Sequence, residues 1–354
     1  MKGRVAIVSL RFNPAFIQHL IAYVRAAQEL GYDAGLILDP AYRRFPELND
    51  LTPYYEDGGT ARKNFWTHVV FLNVAVENRG LAVTLKKQAA KIFYVYHEPW
   101  QLTFDYIKME GMAATLRAAL AHRATIPLLR LADKVILESE CGVSAYQNND
   151  VRYNPRYVHF PQIYDDEAPL EIARPSSQKR YFGFLGALCR SHGFDQYVSF
   201  MRFALQSGTK FEFLIASRFP LPASILADPI ISNNKDKIEI RCGRPLTNQE
   251  MNSCYASCFG VWNLYRRSTQ SGVLPKAFMY GTPVIASRLG SFPEYVEDGV
   301  NGRFADAENP RQVLNAIEEL RVDKAEYARG CRESFLRLFF YRSRLQDLTS
   351  IFES

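Results

Sequence analysis

No stretch of this sequence is apolar for the ~18 residues that a helix needs to cross a bilayer; the longest runs, such as residues 68–76, are strand-sized. A transmembrane helix is therefore excluded. Lys2 and Arg4 precede only six apolar or small residues, 5–10, before Arg11. A signal peptide needs an apolar core of ~7–15 residues and a small-residue cleavage site after it, so the expectation is a cytoplasmic protein. Cysteines are few, at 141, 189, 242, 254, 258 and 331, with no C-x-x-C pair and no His/Cys cluster at zinc spacing. Buried free thiols are expected. The first apolar run is followed by Arg11-Phe12-Asn13-Pro14 rather than G-x-G-x-x-G, which removes the main support for a nicotinamide dehydrogenase. Neither a solenoid repeat nor a low-complexity tract is present. Strong charge bias is lacking too. The net charge is +6, with 20 Lys+Arg against 19 Asp+Glu in residues 1–174 and 23 against 18 in residues 175–354. So mild an excess is not a nucleic-acid footprint; located in the second half, it suits a phosphorylated small molecule.

What remains is ordinary globular material, 354 residues with 47% hydrophobic and 23% charged, long enough for two domains. In the first half, near-continuous apolar runs at 4–10, 33–38, 69–74, 91–96 and 134–137 read as strands, with helices predicted over 14–31 and 112–122. Strands without alternation must be covered on both faces, which means a parallel sheet between helices. Residues 165–178 are polar, proline-bearing and aperiodic, and read as an interdomain linker. The pattern then restarts, with strands at 180–185, 211–216, 238–242, 259–263 and 284–286 and helices at 194–206, 248–257, 274–280 and 310–320. Pro275 suits a first helical turn, and Gly281-Thr282-Pro283 a sharp stop. Two doubly wound domains place the ligand site at the C-terminal ends of the strands, in a cleft between the domains.

Residues 278–287, Phe-Met-Tyr-Gly-Thr-Pro-Val-Ile-Ala-Ser, are followed by residues 292–302, Phe-Pro-Glu-Tyr-Val-Glu-Asp-Gly-Val-Asn-Gly. Together they resemble the C-terminal signature of family 4 glycosyltransferases. The resemblance extends to residues 132–136, to 181–186 and to Gly193. It implies a GT-B fold: an acceptor-side Rossmann-like domain over 1–168, a nucleotide-sugar-binding Rossmann-like domain over 169–335, and a terminal helix, 336–354, returning to the first domain. It also implies retaining transfer of a hexose-type sugar from a nucleotide diphosphate sugar to a saccharide or lipid-linked acceptor, with no protein nucleophile. No D-x-D occurs, and neither a metal nor any cofactor besides the donor is expected.

Carried over residue by residue, the resemblance makes His97, in Tyr96-His97-Glu98-Pro99, the catalytic-site histidine facing the donor sugar. Alignment on Gly186 and Gly193 puts Ala187 where the family has its diphosphate-binding Arg and His192 where it has the Lys, with Arg190 two residues earlier as the remaining cation. The family's paired glutamates, E-x7-E, are absent: Ser268 stands at the first and Lys276 at the second. The run Ser268-Thr269-Gln270-Ser271-Gly272 before a helix N-terminus is suited to an anion, because its backbone N–H groups lack intrahelical partners. Losing two carboxylates removes negative charge from beside a diphosphate, and Lys276 adds a positive one. Arg218 borders the expected nucleotide site, and Glu294 matches a family glutamate. The aromatic stripe at 335–341 is expected to be core, with peripheral contact to the inner face of a membrane as the other reading. Two alternatives stay open, a GT-B epimerase or phosphorylase and an inactive GT-B scaffold.

Overall fold

A strand that is apolar on both sides of its pleat is stable only between two covered faces, and both halves of the chain are built this way. The structure, a computed structural model, describes residues 2–55, 64–101, 104–168 and 179–354. The chain divides into two compact units. Unit 1 comprises Met1–Asp165 together with Leu338–Ser354, and unit 2 comprises Asp166–Arg337.

Unit 1 holds a parallel sheet of strands β1 (Arg4–Ser9), β2 (Asp33–Leu38), β3 (Tyr54–Tyr55), β4 (His68–Phe71), β5 (Lys91–Val95), β6 (Lys134–Leu137) and β7 (Tyr157–His159), in the order β3-β2-β1-β4-β5-β6-β7. Alternate residues of each strand feed two different cores. Val5, Ile7, Leu36, Val70 and Phe93 pack with Leu20, Ala27, Leu348 and Phe352, beneath the helices Ile17–Glu29 and Leu345–Glu353. Ala6, Val8, Val69, Phe71 and Tyr94 pack with Leu81, Leu85, Leu128 and Tyr146 on the other face. Each such aliphatic side chain taken from water contributes about 1.5–3 kcal/mol.

The terminal segment is fastened to unit 1 by more than apolar contact. Tyr164 N–H donates to the Phe339 carbonyl at 2.8 Å and Tyr341 N–H to the Tyr164 carbonyl at 3.0 Å, while Tyr341 Oη donates to Glu29 Oε1 at 2.6 Å. Phe335, Phe339, Tyr341 and Phe352 are buried. These rings are therefore core, as the first of the two readings expects, and are consumed by packing within the fold. Among the described residues no helix is long and apolar enough to cross a membrane.

Unit 2 holds β8 (Tyr181–Leu185), β9 (Glu212–Ser217), β10 (Ile238–Cys242), β11 (Cys258–Asn263), β12 (Val284–Ala286) and β13 (Gly302–Phe304), all parallel, in the order β10-β9-β8-β11-β12-β13. One face packs Phe182, Phe184, Phe213, Ile215 and Trp262 against Tyr197, Met201, Val313 and Ile317 of the helices Phe194–Gln206 and Pro310–Val322. The predicted helices over 194–206 and 248–257 are observed with those bounds.

Three sequence expectations need correction. The helix expected over 112–122 runs over Phe104–Leu131 with a break at Gly111 (φ 81°, ψ 168°). Of the expected linker 165–178, residues 169–178 lie outside the described residues. The acidic run before it is not a solvated spacer, for Asp165 pairs with Arg25, Asp166 with Arg332 and Glu167 with Lys276. The six thiols are free, but only Cys254, Cys258 and Cys331 are fully buried.

Gly193 caps the helix Phe194–Gln206 at φ 70°, and a Cβ built there would stand 2.3 Å from the Leu264 carbonyl oxygen. Gly208, at φ 72°, has nothing within 4 Å of such a Cβ. Both positions carry left-handed strain of about 1–2 kcal/mol for an L-residue, and only the first adds a clash with backbone. Gly193→Ala is expected to lower unfolding free energy by at least about 1 kcal/mol more than Gly208→Ala, as read from urea denaturation of the full chain.

Candidate active site

In each sheet the strand order reverses at one place, and loops leaving the C-terminal ends of the strands on either side of such a point converge on open space. In unit 1 the reversal lies between β1 and β4, and the loops beside it are polar and tightly held. Asn73 Nδ2 donates to Ser9 Oγ at 2.9 Å, and Asn78 Nδ2 to the Asn73 carbonyl at 2.6 Å.

His97 lies just past β5. Its Nδ1 donates to Glu138 Oε2 at 2.6 Å, and the side chains are 10% and 2% exposed. Its ring stacks on Phe16 at 4.5 Å between centroids and lies 5.6 Å from the ring of His19. Burial by itself pushes the imidazole down in pKa, but the charge and hydrogen bond of Glu138, with a hydrogen bond to the Leu72 backbone, outweigh it and raise it above its ordinary value. Burial would likewise raise Glu138, and the His97 imidazolium outweighs that and holds the carboxyl below its ordinary range. Each partner thus favours the charged form of the other.

Glu138 was invisible to the sequence reading, as were its supports. Gln162 Nε2 donates to Glu138 Oε2 at 3.1 Å, and Tyr164 Oη donates to Gln162 Oε1 at 3.2 Å. One available signal was position: Glu138 directly follows the apolar run of β6, where side chains of a parallel sheet reach its ligand-binding edge.

In unit 2 the reversal lies between β8 and β11. The loop after β8 carries Arg190 and His192, and the loop after β11 carries residues 268–272. They are stitched together. Arg266 and Arg267 N–H groups donate to the Ser191 carbonyl at 2.9 and 3.3 Å, and the His192 ring lies flat on that of Tyr265, 4.3 Å away at 7°. Arg266 is a strut, donating to Asp195 Oδ1 at 2.6 Å and to the Arg190 carbonyl at 3.3 Å. The Arg190 side chain is exposed and makes no ion pair or hydrogen bond among the described residues.

Ser268 Oγ donates to the Gln270 carbonyl at 2.8 Å, while Asn263 Nδ2 donates to Ser271 Oγ at 3.4 Å. Ser268, Thr269 and Ser271 are buried and Gln270 half-buried. A third loop, after β12, closes on the second at Gly290, where a Cβ would fall 1.8 Å from the Ser268 carbonyl oxygen. Gly272, exposed at φ −70°, has a conformation open to any residue, and the helix after it, Val273–Met279, spans only seven residues. Its dipole is correspondingly small, so any anion here would depend more on the loops than the sequence suggested. Glu294 sits in the first turn of the short helix Phe292–Tyr295. Arg218 is exposed, with its guanidinium over the Phe219 ring at 4.8 Å, and no ion pair or hydrogen bond among the described residues links its side chain to the other candidates.

Lys276 departs most from expectation. Its Nζ pairs with Glu167 Oε2 and donates to Asn252 Oδ1 at 3.1 Å, while Asn248 and Asn252 donate their amide hydrogens to the Glu167 carboxylate at 2.6 and 3.1 Å. The two side chains are 11% and 18% exposed. Lys276 is therefore not a spare cation awaiting a phosphate, because its charge is already balanced by a carboxylate from 109 residues earlier in the chain. Among the described residues no three His, Cys, Asp or Glu side chains come together as a metal site would require.

Residues 179–323 match the family model for glycosyl transferases group 1. Its second unit thus carries a glycosyl transferases group 1 domain, and its fold is GT-B. Among solved structures the chain is similar to TarM, at TM-score 0.73 and 10% identity over 100% of this chain and 99% of that one. It is similar to HepE of Anabaena in complex with UDP, at TM-score 0.70 and 14% identity over 99% of both chains. A third such structure is the sucrose-phosphate synthase of Thermosynechococcus elongatus, at TM-score 0.68 and 15% identity over 99% and 98%. No curated protein matches the sequence.

Removing one partner of a buried ion pair costs about 3–5 kcal/mol, and less where water still reaches the pair. Lys276→Met in the full chain is expected to lower unfolding free energy by about 1–3 kcal/mol, and Lys276→Glu, which sets two carboxylates side by side, by more. Urea midpoints of the two variants check this, and equal stability of Lys276→Glu and the parent chain would contradict it.

Proposed function

We propose that the protein is a retaining glycosyltransferase that moves a hexose-type sugar from a nucleotide diphosphate sugar to a saccharide or lipid-linked acceptor, without a metal. The observation that carries the reading is a coincidence of place: the group 1 domain, residues 179–323, contains the three loops that meet at the reversal point of the second sheet. The structures of HepE with UDP and with UDP-glucose add support by analogy of fold. In this reading unit 2 takes the donor and unit 1 supplies the acceptor side and His97.

The leaving diphosphate needs donors and cations fixed before it arrives, since preorganised groups lose nothing to reorientation during reaction. Arg190 is the candidate cation: its backbone is held by Arg266 and its guanidinium is uncommitted among the described residues. Backbone N–H groups of the loop 268–272 and His192 would supply further contacts. No protein nucleophile is assigned.

Binding is tested with the full chain by thermal shift against UDP, GDP, ADP and CDP. Ligand at about 100 times its dissociation constant adds roughly 2.7 kcal/mol to stability, a rise of several degrees for the preferred base. Arg190→Ala is expected to weaken that nucleotide about tenfold by calorimetry, the worth of one charge-assisted hydrogen bond. The epimerase, phosphorylase and scaffold readings separate from transfer by product analysis with the preferred nucleotide sugar. An absence of response to every nucleoside diphosphate would sink the reading.

A further inference from the structure

Resting on the reading of the protein as a sugar-transferring enzyme, we propose that Glu138 is a positioning residue, which with Gln162 and Tyr164 holds His97 in one ring plane with a proton fixed on Nδ1. His97 is then presented to the transfer reaction in one fixed tautomer and orientation.

The geometry is a directed chain. Tyr164 Oη donates to Gln162 Oε1, which leaves the Gln162 amide hydrogens to point at Glu138; these and His97 Nδ1–H converge on the same carboxylate oxygen, at 3.1 and 2.6 Å. Each bond sets the direction of the next. The carboxylate is 2% exposed, and the two hydrogen bonds it accepts stabilise its charged form against burial. Phe16 lies against the His97 ring at 4.5 Å and 25°, fixing the plane that the hydrogen bond alone would leave free to tilt. The origin of the chain is itself anchored. Tyr164 is bonded through its backbone to Phe339 and Tyr341, and its ring packs at 4.7 Å on His19. The return of the terminal segment therefore has a use at the site: it holds the tyrosine from which the alignment of His97 begins.

Every packed element contributes to the electrostatics. The helix Ile17–Glu29 presents His19 and Tyr23, the segment after β7 presents Gln162 and Tyr164, and the His97 loop itself presents Glu98. Burial pushes the phenols of Tyr23 and Tyr164 up, as does the Glu138 charge, so both stay neutral. The sign of the pH dependence follows. The His97 contribution is whole below 6.5, its unfolded value, and fades as pH rises through the raised folded value. The Glu138 contribution is whole above 4.5 and fades as pH falls through the lowered folded value. Both contributions are whole together between 4.5 and 6.5.

The test uses the full chain and two readouts. The first is the pH titration of the His97 imidazole by NMR, its signal identified by its loss in His97→Gln. Glu138→Gln is expected to lower the protonation constant at least tenfold, and an unmoved titration overturns the proposal whether or not the protein transfers sugar. The second is kinetics with the preferred nucleotide sugar. Glu138→Gln should lower kcat by 10–100-fold with KM for the donor changed less than threefold, and Glu138→Asp should recover part of the loss. Unchanged kcat in Glu138→Gln overturns the positioning role even with a shifted titration. Should Glu138→Gln not fold, Tyr164→Phe, which deletes one hydroxyl at the head of the chain, is expected to lower kcat two- to fivefold at constant KM, and no change in kcat there overturns the proposal equally. Absence of transfer by the parent chain on all donors would refute the enzymatic reading instead, leaving the titration to decide the Glu138–His97 coupling.

Discussion

The requirement to cover both faces of each parallel sheet dictates where this protein can keep its chemistry. Within the strands nearly every position is committed to a core, Val5 and Ile7 to one face and Ala6 and Val8 to the other, and an unpaired polar group among them would cost several kcal/mol. Polarity returns where the strands end. Ser9 ends β1, Asn73 follows β4, His97 follows β5, Glu138 follows β6 and Gln162 follows β7, all along one edge. The active-site candidates of unit 1 are thus a by-product of sheet burial before they are anything else. A parallel arrangement puts all of these ends on the same side, which an antiparallel sheet would not do.

The same logic explains why the buried charges come in satisfied sets. Lys179, at the entry to β8, gives its three donors to the Tyr280 and Gly281 carbonyls and Thr282 Oγ1 at 2.7–2.8 Å, closing the C-terminus of the helix Val273–Met279. Burial lowers its pKa to about 8, so it is still mainly cationic at neutral pH. Because the folded value lies below the unfolded one, the unfolded chain holds more protons between them, and this group makes stability rise with pH through that interval. One end of the short helix is therefore fixed by Lys179 and its interior by Lys276 with Glu167. Neither lysine is available to a ligand without unpicking the fold.

Sequence reasoning reached the elements whose identity is local. The strands over 33–38, 134–137, 238–242 and 284–286 are where composition put them, since a dense apolar run of that length has few other uses. It missed β3, β7 and β13, which have two or three residues and are held by their neighbours more than by their own composition. The same division runs through the site. His97 and the loop 268–272 could be named because a strand end or a resemblance marks them. Glu138 is 41 residues from His97 and Glu167 is 109 from Lys276, and no periodicity connects residues that only the sheet brings together. Lys276 was misjudged for that reason: its charge was visible, and the carboxylate that cancels it was not.

That cancellation bears on how a group 1 domain could hold a diphosphate after losing both glutamates from the positions where the resemblance expects them. Had Lys276 been uncompensated, its attraction for a phosphate 4–6 Å away at an effective dielectric near 20 would be on the order of a few kcal/mol. Paired with Glu167, it presents close to zero net charge, and Asn248 and Asn252 turn their donors toward that carboxylate instead of outward. Removing carboxylates from 268 and 276 thus leaves the local charge less positive than the substitutions imply. In the proposed reading the attraction must come from other groups at the reversal point. There Arg190 is exposed, Arg266 is neutralised by Asp195, and the loop 268–272 offers backbone donors from a fixed conformation. Specificity for the sugar then depends on hydroxyl and amide groups such as Ser271 and Gln270, which discriminate by direction more than by charge.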